Sequence, residues 1–194
     1  MRVAIIPARS GSVRIPSKNW RMFRGQPMLL YPIQAAQASG LFDLIVVSTD
    51  SHLIANIAFQ AGCTVVPRPA DDGSTGTQEI AARVLDQLDI HDGACCVLYP
   101  CSPLLLPDDL RDGWHALLAP ASLNRSYAMS VGPDGQDAGC WYWGWTLHHR
   151  ARRPLDDYTA VKVEMPAERV QDINTIDDWT AAEAKFDALR RATP

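Results

Sequence analysis

Val3-Ala4-Ile5-Ile6 is a short apolar run rich in β-branched side chains, and with Arg2 ahead of it the stretch Arg2 to Ile6 reads as a buried strand. Roughly nineteen residues rich in Gly, Pro, Ser and basic side chains follow, as a functional loop would. The pattern then alternates. Tyr31 to Ser39 has helical character closed by Gly40, and Leu44 to Ser48 is a second apolar strand ending at Thr49-Asp50. A helix from about Ser51 to Ala61 is stopped by Gly62, and Thr64 to Val66 is a third strand. Gln78 to Leu88 is helical, Ala94 to Tyr99 is a strand entering the turn Pro100-Cys101-Ser102-Pro103, and Asp108 to Leu118 is helical again.

Strands that alternate with helices of this length predict a mostly parallel sheet covered on both faces, because parallel strands need crossover connections. Beyond Ala119 the rhythm changes. Tyr127 to Val131, Cys140 to Trp145 and Ala160 to Glu164 read as strands between Gly-, Pro- and Asp-rich turns. Thr175 to Arg191 reads as a helix capped by Asn174 or Thr175, with Asp177 and Asp178 complementing its dipole. On Cys140 to Trp145, alternation sends Trp141, Trp143 and Trp145 to one face and Tyr142 to the other. Those aromatics could line a sugar site, form a partner interface or pack in the core.

Composition narrows the functional classes. A chain of 194 residues with 47% hydrophobic content fits one domain with a substantial core. A net charge of -4 gives no general attraction to nucleic acid or to an anionic membrane, so positive charge must act locally. No apolar run approaches the ~20 residues that span a bilayer, and the early strand leaves no room for a signal peptide, so a cytoplasmic protein is expected. Cys63, Cys95, Cys96, Cys101 and Cys140 are odd in number and lack a CxxC pair, against both a disulfide framework and a structural zinc site. Cys101 is either a packed thiol or a reactive one beside a pocket.

Local positive charge is concentrated in Arg9, Arg14 and Lys18, in the loop after the first strand, where open α/β sheets make their phosphate contacts. The loop matches neither GxxxxGK[ST] nor GxGxxG, so neither a P-loop NTPase nor a dinucleotide dehydrogenase is supported. Gly11 and Ser12 allow close backbone approach, and three cations can neutralise a triphosphate and stabilise charge on leaving pyrophosphate. A solvated basic loop is the plain alternative. No Ser/His/Asp set is readable, so nucleophilic hydrolysis has no support. His148-His149 with Arg150, Arg152 and Arg153 could meet an anionic substrate, although a solvated basic turn is the simpler reading. Tyr99 and Ser102 could touch a base or merely shape the turn between Pro100 and Pro103.

The segment Ile6-Pro7-Ala8-Arg9-Ser10-Gly11-Ser12-Val13-Arg14-Ile15-Pro16-Ser17-Lys18-Asn19 resembles the signature loop of the acylneuraminate cytidylyltransferases, the CMP-sialic acid synthetases. Phe42 to Asp50, Arg68-Pro69, Ser74-Thr75-Gly76-Thr77 and Val170-Gln171-Asp172-Ile173-Asn174-Thr175 fall in the family's order. Asp137-Ala138-Gly139, Tyr142-Trp143-Gly144 and Arg169 to Asp172 resemble the pseudaminic acid cytidylyltransferases within it. The resemblance implies a single-domain, Rossmann-like nucleotidyltransferase fold, CTP and an acidic sugar as partners, Mg²⁺ as cofactor, and a homodimer as the candidate assembly. It implies Arg9 and Lys18 as the cations on the CTP phosphates, with Ala8, Gly11, Ser12, Arg14 and Asn19 in the nucleotide loop. Arg68, Thr77 and Tyr99 fall near the nucleoside, and Asp172 and Asn174 at the magnesium position.

Three departures stand out. The family's Asp-x-Asp pair is Asp172-Ile173-Asn174 here, and an amide brings oxygen without charge; a helix-entry role near the Asn174 cap is the lesser alternative for Asp172. Val13 stands where the family commonly has lysine, a gap Arg14 could partly fill. Between Met129 and Asp137 a short turn replaces a longer segment that in relatives helps form the sugar pocket and dimer contact. Three functions follow in order: transfer of CMP to a nonulosonic acid, transfer to another 2-keto sugar acid or smaller acid, and nucleotide binding without turnover.

Overall fold

A computed structural model describes residues 1–70, 73–120 and 125–192. Its centre is β1 (Arg2–Pro7), whose residues 3–6 are completely buried. A strand buried on both faces must be apolar at every position, which explains the unbroken run. β1 pairs in parallel with β4 (Leu44–Thr49) and β6 (Ala94–Leu98), with Ile5 level with Val46 and Val97. β5 (Thr64–Pro67) adds to β4 in parallel. On the other side β8 (Asp137–Trp145) runs antiparallel to β6 and to β7 (Tyr127–Val131), and β9 (Ala160–Glu164) pairs with β7 in parallel. The order is β5-β4-β1-β6-β8-β7-β9, so β8 alone opposes the common direction.

Helices cover both faces, as the alternating pattern predicts. Side-chain alternation divides the core into two layers. Ala4, Ile6, Val47, Cys96, Leu98, Trp141 and Trp143 share one layer with Ile33 of α1 (Leu30–Ser39), Ile54 of α2 (His52–Gln60) and Leu110 of α4 (Pro107–Leu118). Val3, Ile5, Val46, Cys95, Val97, Tyr127 and Tyr142 share the other with Ile80 and Leu85 of α3 (Thr77–Gln87). The aromatics of β8 thus divide by face as the sequence predicts, and they are core side chains rather than a sugar-binding surface. α4 reaches β8 only because Gly113 carries no side chain; a Cβ there would lie 2.5 Å from the Trp141 ring.

Two elements depart from the sequence reading. β2 (Met22–Phe23) and β3 (Gln26–Pro27) form a hairpin turning through Arg24 and Gly25, at φ 41° and 98°. Strands of two residues carry no periodicity to read. The segment read as a solvated basic turn is α5 (Thr146–Arg150), packed on α3. His149 is fully buried, with Nδ1 2.8 Å from Gln78 Oε1, and burial pulls its pKa down to about 4. Arg150 pairs with Asp86 at 2.7 Å and Arg152 pairs with Glu79, so these cations are committed to α3. α6 (Ile176–Ala192) ends the described chain.

Trp143 concentrates the packing that holds β8 in register. It is completely buried, stacks on Phe42 with centroids 5.0 Å apart, and donates from Nε1 to the Leu110 carbonyl at 3.1 Å. Trp143→Ala is expected to lower unfolding free energy by about 3–5 kcal/mol, seen as an earlier midpoint in urea denaturation.

Candidate functional site

The carboxyl ends of β1 and β6 open onto one cavity, the place where parallel sheets bind ligands. Its principal wall is the loop after β1, which is held by backbone and side-chain bonds at close intervals. The Ala8 N–H donates to the Ser48 carbonyl at 2.9 Å, and Ser10 donates from N and Oγ to Asp50 at 2.7 and 2.9 Å. Asn19 is 5% exposed and ties the loop across: its Nδ2 donates to the Arg9 carbonyl at 2.8 Å, and its Oδ1 accepts from Cys101 Sγ at 3.0 Å. The Asn19 carbonyl accepts from Leu29 N–H at 2.9 Å, which returns the chain to α1.

Beneath the loop lies a third small core in which Ile15, Phe23 and Met28 meet Ile173, Trp179 and Ala182. The far end of the chain therefore supports the first loop. Lys18 Nζ donates to the Ile173 carbonyl at 2.5 Å, the Arg21 guanidinium lies 5.3 Å from the Trp179 ring centroid, and Arg24 pairs with Asp187 at 2.7 Å. Apolar burial and cation contacts hold the same two segments together, so the loop has a defined shape.

The cavity measures about 240 Å³. Arg9, Ser12, Arg14, Lys18 and Asn19 line it from the loop, Arg68 from beyond β5, Thr77 from the start of α3, Tyr99 from the end of β6 and Asn174 from the approach to α6. Four cations thus face one space, and no carboxylate lines it among the described residues. An excess of positive charge around a partly enclosed volume favours a polyanion far more than the same charges spread in water would.

Nine of the twelve residues singled out from sequence line this cavity. Ala8 is completely buried in the core, and Gly11 sits exposed on the loop, where a Cβ would meet nothing within 4 Å. Neither forms the wall, so the close approach expected of Gly11 is not visible. Asp172 is exposed beside the cavity. The sequence reading passed over Gly73, Thr75 and Ile80, which also line it. Thr75 lay within a segment noted for its order, whereas Gly73 has no signal in one sequence. Ser102, considered as a base contact, is buried outside the lining. Burial pushes the Cys101 thiol up to about 12, so it stays protonated as a donor to Asn19 and is not the reactive thiol considered.

Asp172 and Asn174 lie on the same side of the chain, and the Asn174 amide donates to the Asp172 carboxylate. The turn is fixed from α6, where Asp178 accepts from the N–H groups of Asn174 at 2.9 Å and Thr175 at 2.7 Å. Among the described residues no group of three or more His, Cys, Asp or Glu could hold a metal ion by itself. One carboxylate and one amide oxygen do fit a hard cation that takes its remaining ligands from phosphate and water.

These features define an α/β protein whose first parallel strand runs into a cationic loop that walls a cavity at the strand ends. The chain belongs to the cytidylyltransferase family, whose profile, described as Cytidylyltransferase, matches residues 3–128. It is 35% identical over 154 residues to the CMP-N,N'-diacetyllegionaminic acid synthase of Legionella pneumophila, covering 70% of this chain and 65% of that protein. It is 30% identical to a Helicobacter pylori protein named pseudaminic acid cytidylyltransferase and UDP-2,4-diacetamido-2,4,6-trideoxy-beta-L-altropyranose hydrolase, over 99% of this chain and 44% of that one. The chain therefore spans less than two thirds of the length of these curated relatives. A solved CMP:2-keto-3-deoxy-manno-octonic acid synthetase complexed with CTP shares the fold, with a TM-score of 0.72 at 15% identity over 96% of this chain and 98% of that one. No helix among the described residues is long and apolar enough to cross a membrane.

The Asp178 cap provides a pH test. Its bonds from Asn174 and Thr175 hold the carboxyl below its ordinary value, so the stabilisation is complete above the ordinary value and is lost as pH falls from there through the lower folded value. Thermal melts of the wild type and Asp178→Ala should differ most near pH 6 and converge as pH drops from about 5 to about 3.

Proposed function

We propose that the protein transfers CMP from CTP to a nonulosonic acid and releases pyrophosphate. The observation that carries this reading is the cavity at the strand ends, with Arg9, Arg14, Lys18 and Arg68 around it and no acidic lining residue among those described. The anomeric hydroxyl of the acceptor attacks the α-phosphorus in line. A new phosphorus–oxygen bond forms, the bond to the pyrophosphate oxygen breaks, and the hydroxyl proton passes to water. Arg9 and Lys18 neutralise the charge that accumulates on the departing pyrophosphate. Ser12, Asn19 and the positive end of α3 beside Thr77 hold the triphosphate, while Arg68 and Tyr99 flank the nucleoside. Asp172 with Asn174 would hold Mg²⁺, which supplies further charge neutralisation when bound. A CTP-dependent reaction is compatible with the cytoplasm.

Another 2-keto sugar acid or a smaller acid is a second acceptor, favoured by the β7–β8 connection. Those strands join through a tight turn at residues 132–136, where the Gly132 N–H donates to the Gln136 carbonyl at 2.8 Å. No extra segment from that hairpin shapes the mouth of the cavity.

Pyrophosphate release measured with CTP, Mg²⁺ and a panel of sugar acids separates the readings. Turnover is expected with a nonulosonic acid; release only with another 2-keto sugar acid or a smaller acid selects the second acceptor, and CTP binding without release by any acid overturns both. Lys18→Ala should reduce kcat by about 10²–10³-fold. Asn174→Asp should lower the Mg²⁺ concentration needed for half-maximal rate, since a second carboxylate adds charge to the donor pair; an unchanged requirement would remove that pair from the metal site.

A further inference from the structure

Arg9 enters the cavity from a backbone that is already fixed. Its carbonyl accepts from Asn19, and the next residue, Ser10, is bound twice to Asp50. The side chain is held differently. Against its guanidinium lies Gly73, which lines the same cavity from the segment ahead of α3. A Cβ built on Gly73 would stand 2.2 Å from Arg9 Nη1, 2.6 Å from Cζ and 2.8 Å from Nη2. Three atoms of the planar group would therefore be overlapped at once, so the guanidinium packs directly on the bare Cα. Gly73 also has φ +91°, a conformation that side chains disfavour. Space and backbone conformation select glycine independently.

We propose that Gly73 is a positioning residue for Arg9: its missing side chain leaves the seat in which the guanidinium lies, aimed at the polyphosphate. This rests on the nucleotide reading of the cavity. The atoms a larger residue would displace are the mobile end of an arginine, so the fold tolerates the change while Arg9 loses its place. Backbone strain at position 73 is a competing cause of any loss, but strain acts whether or not Arg9 is present. A double-mutant cycle therefore separates the two.

The measurement is the Kd for CTP in Mg²⁺ buffer, by calorimetry and without acceptor, for the wild type, Gly73→Ala, Arg9→Ala and the double variant. Arg9→Ala should weaken binding by about 10–30-fold and Gly73→Ala by about 5–10-fold, whereas Gly73→Ala in the Arg9→Ala background should cost less than about 2-fold. Gly73→Asn keeps a residue that accepts positive φ yet fills the space, and should weaken binding like Gly73→Ala with a melting temperature within about 3 °C of wild type. Equal losses in both backgrounds, or wild-type affinity in Gly73→Asn, overturn the seat and leave the nucleotide reading intact. Unchanged CTP affinity in Arg9→Ala overturns the phosphate role of Arg9 and the seat with it.

Discussion

Four cations around a cavity of a few hundred cubic ångström repel one another. For like charges several ångström apart near a protein surface the cost is of order 1 kcal/mol a pair, comparable with any single contact that shapes the loop. Arg9, Arg14 and Lys18 cannot escape by swinging into solvent without losing the cavity, so the surrounding structure has to hold them. Much of the architecture answers that demand. Asn19 crosses from one limb of the loop to the other, Asp50 grips Ser10, and the Ile173 carbonyl offers Lys18 a neutral acceptor where a carboxylate would cancel its charge. The cation is held and its charge remains available.

Support for this loop comes from two directions that differ in kind. The sheet beneath it is rigid because β1 is buried on both faces and paired on both edges. The apolar side chains of α6 form a separate small core, made by Trp179 and Ala182 against Ile15 and Phe23, with Phe186 at its edge. The loop thus rests on two bodies of packing, which also touch through Tyr31 of α1 and Cys101. At the Asp172–Asn174 turn the construction is sparer. The Asp172–Asn174 turn is fixed by Asp178 and by Lys18, while the β7–β8 hairpin adds nothing above the cavity.

What the sequence made legible follows from which interactions are local. The run Val3 to Ile6 identifies a doubly covered strand, and the alternation through Trp141, Tyr142 and Trp143 assigns each ring to a face, because both are properties of a few adjacent residues. The cationic loop was legible through its position after the first strand and through the resemblance it carries. The β2–β3 hairpin was not, being too short for a period, and the basic segment after Trp145 was misread because its partners, Glu79 and Asp86, are supplied by a helix more than sixty residues earlier. The seat at Gly73 and the contact of Lys18 with Ile173 were equally hidden. Only the folded chain brings those residues together, and neither glycine nor a backbone carbonyl advertises a partner.

The bond between Lys18 and the Ile173 carbonyl joins residues 155 positions apart. During synthesis the loop after β1 leaves the ribosome early, and the segment that supports it follows long after β1, β4 and β6 have been made. A growing chain can assemble β1, β4 and β6 while the loop above them still lacks its third core. The loop after β1 therefore takes its final shape later than the sheet it stands on, once Ile173, Trp179 and Ala182 close over Ile15 and Phe23.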